Sequence, residues 1–103
     1  MKFLSITVFD VAKTAEVAAA SDKVWASPPP GIKMLANYVC LADLFLGVPP
    51  NTMVTVAIAE AESAEALAAV SYPLMLAGAT IHRVPVLEVP VAGAAEAEKK
   101  YKG

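Results

Sequence analysis

Long apolar runs are missing from this sequence, although apolar residues fill 57 % of its 103 positions. A membrane-spanning helix needs roughly 20 consecutive apolar residues. Every run here is broken sooner, which excludes such a helix. Charge is scarce as well, at 17 % of residues with a formal net charge of -2. The lysines of the tail "AEAEKKYKG" are interleaved with Glu96 and Glu98. They form no basic patch for phosphates, so nucleic acid is not an expected partner. Cys40 is the single cysteine, which excludes an intrachain disulfide and favours the cytosol. With one histidine and scattered carboxylates, no ligand spacing for zinc or heme arises. Glycine-rich phosphate loops and nucleophile elbows are absent too, and no cofactor or metal is expected.

The amino terminus "MKFLSITVFDVAKTAEVAAAS" imitates a secretory signal, but Asp10, Lys13 and Glu16 interrupt it. A secretory core needs roughly 7 to 15 apolar residues without charge, so a cytoplasmic protein is expected. A chain of this length allows one domain and buries only about 60 to 65 % of the surface its unfolded form exposes. Its apolar share exceeds that of an ordinary soluble domain. Something beyond the core of one chain must take up the excess.

Alternation in "KFLSITVF" sets Leu4, Ile6 and Val8 on one side and Phe3, Ser5, Thr7 and Phe9 on the other, the pattern of a strand. Asp10 then offers a carboxylate cap. Thr14, Val17, Ala18, Ser21, Val24 and Trp25 recur at helical spacing within 11–26, before "SPPPG" stops the helix. "IKMLANYVCL" (32–41) reads as a second strand and "TMVTVAIAEA" (52–61) as a third. Between them, the turn residues of "ADLFLGVPPN" surround Leu44, Phe45 and Leu46, which a free loop would not favour, so this loop is expected to rest on something. Ser63 opens a second helix with Leu67, Val70 and Leu74 as its buried ridge, Pro73 inside it and Gly78 at its end. Tyr72 and Leu76 fall on its far side. Residues 80–91 make the fourth strand, which Pro85 and Pro90 confine to a sheet edge or a bulge. The tail 93–103 reads as a solvated, frayed terminus after a domain spanning 1–92.

The order β-α-β-β-α-β is the ferredoxin-like arrangement, α+β with a four-stranded antiparallel sheet and two helices on one face. Leu4, Ile6, Val8, Val54, Val56 and Ile58 are assigned to the helix-covered face. Phe3, Phe9, Met53, Ala57 and Ala59 are assigned to the other. If about eight apolar side chains stayed wet there, each forgoing roughly 1 to 2 kcal/mol, the loss would be on the order of 10 kcal/mol. That rivals the roughly 5 to 15 kcal/mol by which a domain is stable. A second copy, packed sheet face to sheet face, is the expected cover.

The segment "VTVAIAEAESAEAL" (54–67), the glycine-ended helix and "TIHRVPVLEV" (80–89), together with "PPGIKMLANYV", resemble the dimeric α+β barrel superfamily. They are most similar to its small uncharacterised families, including the one named for a Gly-Tyr-Asp motif. Where those relatives carry Gly-Tyr-Asp, this chain has "ADLFLGVPPNT", so the motif's role does not carry over. The superfamily includes cofactor-free monooxygenases, isomerases, heme enzymes and proteins without known activity, and fold alone does not choose among them. Its sheet order of 4-1-3-2 would gather Thr7, Phe9, Met53 and Thr55 with either His82 or Arg83 and either Asn37 or Tyr38, lining a small-ligand pocket.

His82 is the candidate general base, since unperturbed histidine titrates near neutrality. Arg83 is its neighbour on the opposite side of the strand, so one of the two can enter the pocket. A Cys40–His82 dyad fails on distance: opposite edge strands lie roughly 14 Å apart, against about 3 Å required. Glu88 lies about 20 Å along the strand from His82, too far to orient it. The sequence thus points to a cytoplasmic homodimer acting as a binding or assembly module, with a small apolar ligand pocket. The alternative is a cofactor-free monooxygenase or isomerase for a hydrophobic or aromatic substrate, with His82, Tyr38 and Asn37 handling protons and Thr7, Phe9, Met53, Thr55 and Arg83 holding the ligand.

Overall fold

The computed structural model describes residues 1–41 and 49–103. The loop around Leu44, Phe45 and Leu46, with most of the segment "ADLFLGVPPNT" and its expected resting place, lies outside the described residues.

The elements follow as β1 (Lys2–Asp10), a 3₁₀ turn (Val11–Lys13), α1 (Thr14–Ala26), β2 (Ile32–Val39), β3 (Thr52–Ala61), α2 (Ala64–Leu76), β4 (Thr80–Val86) and α3 (Ala94–Lys102). The four strands form one sheet in the order β2-β3-β1-β4, every neighbouring pair antiparallel. No described helix is long and apolar enough to cross a membrane.

Local chemistry sets the boundaries. Asp10 Oδ1 accepts from the Ala12 amide at 2.8 Å, which starts the 3₁₀ turn before the α-helical winding begins at Thr14. The helix expected over 11–26 therefore opens one tighter turn late. Ser63 Oγ accepts from the Ala66 amide at 3.2 Å and caps α2. That helix closes with the Ala79 amide donating to the Leu74 carbonyl and the Gly78 amide to the Met75 carbonyl. This closure needs a left-handed residue, and Gly78 has φ of +113°. Buried Ala79 then joins Phe9 and Val17 in the core, with Met53, Leu74 and Ala77 packed around them.

Two expected strands prove shorter. The fourth ends at Val86, because its partner β1 begins at Lys2, opposite Val86, and offers nothing further to pair with. The second ends at Val39, although the Cys40 amide still donates to the Val54 carbonyl at 2.9 Å. A bulge interrupts β2 between Met34 and Ala36, and Pro85 lies on β4 at the opposite sheet edge. The tail is a helix rather than a frayed coil. Its Glu96–Lys99 and Glu98–Lys102 pairs, at 3.4 and 3.8 Å, stand one turn apart on an exposed surface.

The largest correction concerns which side of the sheet the helices cover. Ser5, Thr7, Phe9, Met53, Thr55, Ala57 and Ala59 face α1 and α2, while Leu4, Ile6, Val8, Val54, Val56 and Ile58 point to the other side. The sequence pattern had this reversed, since it gives the greasier stripe to the helices. Small and hydroxylated side chains lie under the helices instead, and the β-branched stripe lies on the open face.

Candidate functional site

Small residues under small residues leave a hollow. The sheet contributes Ser5, Thr7, Thr55 and Ala57 at its centre, and α1 contributes Ala18 and Ser21 above them. Together with Val17 and Trp25 of α1 and Leu67, Val70 and Leu74 of α2, they line a partly open cavity of about 250 Å³. Layers of sheet and helix stay apart at a distance set by their larger side chains, here Phe9, Met53 and Trp25, so short side chains between them cannot fill the gap.

The strand register arranges the polar groups of the floor. One row runs Asn37, Ala57, Ser5, Arg83, and the next runs Val39, Thr55, Thr7, Ile81. Arg83 enters the cavity from the edge strand β4. Its Nε donates to Ser5 Oγ at 2.9 Å and its Nη1 to Ser71 Oγ at 2.6 Å. Ser71 is buried and donates in turn to the Leu67 carbonyl at 2.8 Å. Burial pushes the Arg83 guanidinium below its ordinary range, since desolvation disfavours the charged form. Among the described residues no carboxylate lies within ion-pairing distance of it.

Of the residues the sequence singles out, Thr7, Phe9, Asn37, Met53, Thr55 and Arg83 line this cavity. His82 and Tyr38 do not. Both belong to the open face, in the row Tyr38, Val56, Ile6, His82, and both are exposed. The trio of His82, Tyr38 and Asn37 is therefore split across the sheet, because successive residues of a strand point to opposite sides. Cys40 follows β2 and His82 lies on β4, the two outer strands, so the dyad is excluded by topology as well as by distance. Among the described residues no group of three His, Cys, Asp or Glu side chains gathers to hold a metal.

Ser5, Ala57 and Ser71 complete the site and were not singled out by sequence. Ser71 carried a signal: it lies one turn after Leu67 on the buried ridge of α2, where a hydroxyl needs a partner.

No protein-family model matches the chain, and no curated protein matches it closely. Among solved structures, a DUF3240 family protein from Shewanella baltica OS155 superposes with a TM-score of 0.49 at 10 % identity, covering 89 % of this chain and 97 % of that one. A Burkholderia cenocepacia protein, provisionally described as an amidohydrolase/peptidase, superposes with a TM-score of 0.50 at 11 % identity over 98 % of this chain. This chain spans 33 % of its length. A hydantoinase/carbamoylase family amidase from Burkholderia ambifaria gives 0.42 at 12 % identity, covering 97 % of this chain and 32 % of that one. The second likeness supports a shared small α+β fold and nothing about chemistry.

Proposed function

We propose that the chain is a homodimeric ferredoxin-like module of the α+β barrel type that binds a small, mostly apolar ligand between helices and sheet. A cytoplasmic setting fits its lone thiol. The strand order, read from the β4 edge as 4-1-3-2 with two crossing helices, supports the fold reading.

The observation that carries self-association is the open face of the sheet. Leu4, Ile6, Val8, Val56 and Ile58 lie there partly exposed, with Tyr38 66 % and Val84 50 % exposed. No large side chain is fully buried among the described residues, so one chain alone holds a thin core. Four strands about 4.8 Å apart and about 30 Å long present roughly 600 Å² of projected area. Two such faces bury about 1,200 Å², the lower bound for a stable specific interface.

The register also matches a second copy. A two-fold axis along the strands, between β1 and β3, lays each row over its own reverse. Glu60 then meets Lys2 of the second copy, Ile58 meets Leu4, and Tyr38 meets His82. Opposite charges face one another and no like charges do. Lys2, which bridges Glu88 at 3.0 Å within its own chain, is free to exchange this exposed partner.

Sedimentation velocity at low micromolar concentration tests the reading. A dimer is expected. The double variant Tyr38→Glu, Val84→Glu should be a folded monomer, because both side chains are exposed in the single chain. A monodisperse wild-type monomer would overturn the dimer. The alternative, a cofactor-free monooxygenase or isomerase, loses its general base within one chain, since His82 lies across the sheet from the cavity.

A further inference from the structure

We propose that the cavity takes a small organic acid, with the apolar body between sheet and helices and a single carboxylate held by Arg83. The inference rests on the pocket part of the reading above and names the ligand class for it.

Arginine carries five N–H donors in a fixed fork suited to carboxylates. Ser5 and Ser71 occupy one on Nε and one on Nη1. They fix the guanidinium plane, and Nη2 finds no partner among the described residues. Among the described residues no buried side-chain nitrogen or oxygen lacks a partner, so Nη2 is not sealed in protein, and Arg83 itself lines the hollow. Ser71 is itself held by the Leu67 carbonyl. The cation is thus positioned by two hydroxyls and neutralised by none. Half-buried cations are normally matched by a carboxylate, because desolvating an uncompensated charge is costly. A ligand supplying that carboxylate would remove the cost on both sides.

The rest of the lining limits the anion to one charge. Arg83 is the sole cationic side chain among the described lining residues, and exposed Asp22 adds a negative charge at the rim. A phosphate dianion would want a second cation, which is not there. The same cavity also carries Asn37 and the hydroxyls of Thr7 and Thr55 in its lining, polar groups able to meet a ligand's remaining oxygen. Size follows from volume. An apolar cavity of about 150 Å³ admits benzene, so about 250 Å³ suits a body of roughly ten heavy atoms.

The test compares 3-phenylpropanoate with the neutral 3-phenylpropanol, titrated calorimetrically into the full chain and followed through Trp25 fluorescence. The acid should bind about tenfold or more tightly than the alcohol. Arg83→Met should abolish that preference, and Arg83→Lys should retain part of it. Equal affinity of wild type for acid and alcohol would overturn the carboxylate and leave the pocket standing. Binding of neither would overturn the pocket, and the carboxylate with it. A preference surviving in a folded Arg83→Met variant would remove Arg83 from the role. The wild-type comparison holds whether or not the variants fold.

Discussion

Ser71 ties α2 to β4, since its hydroxyl accepts from Arg83 on β4 and donates to Leu67 one turn back in its own helix. Replacing it by alanine leaves a desolvated guanidinium nitrogen without its closest acceptor. Ser71→Ala should therefore lower unfolding stability by about 1 to 2 kcal/mol, read from the urea midpoint at unchanged slope. Ala57 acts oppositely. It sits between Ser5 and Asn37 in the floor of the hollow, where added carbon meets empty space rather than packed neighbours. Ala57→Leu should keep the fold, raise the thermal midpoint and abolish the Trp25 response to 3-phenylpropanoate, as cavity filling reverses the cost of a void.

At the scale of elements, α2 is secured at both ends and α3 at neither. Ser63→Ala removes the hydroxyl that accepts from Ala66 and should cost about 1 kcal/mol, measured by chemical denaturation. Deleting residues 93–103 should change stability by less than about 1 kcal/mol, because exposed ion pairs one turn apart contribute only about 0.2 to 0.5 kcal/mol each. The element order was legible from the sequence because strand alternation, helical spacing and stop residues each have a short range. The Asp10 and Ser63 caps and the Gly78 stop could be read from two or three neighbours. The sidedness of the sheet was not legible. Alternation says that Ser5 and Ile6 point apart, but not which of them meets a helix. The packing of the helices decides that, and α1 and α2 lie over Ala57 and Ala59 rather than over Val56 and Ile58. The same gap divides the candidate site. Thr7 and Met53 could be gathered from the strand order, whereas choosing between His82 and Arg83, and between Tyr38 and Asn37, required knowing which side the helices take.

For the whole molecule, the proposed pairing would add its buried area to a thin core. If the open faces pair, the thermal midpoint should rise with protein concentration across the micromolar range, as mass action requires for a folded dimer that dissociates on unfolding. The Tyr38→Glu, Val84→Glu variant should show a midpoint independent of concentration. A wild-type midpoint that stays fixed over a hundredfold dilution would speak for a self-sufficient single chain.

The bulge between Met34 and Ala36 and the proline at position 85 have a bearing on growth. They lie on the two outer strands, where a flat, unbroken backbone would template further strands without limit. With both margins blunted, the proposed stacking of two greasy β-surfaces would leave no ragged border on which a fibril could start. Restoring a regular margin, by deleting Leu35 and replacing Pro85 with valine, should let the chain polymerise and bind amyloid dyes.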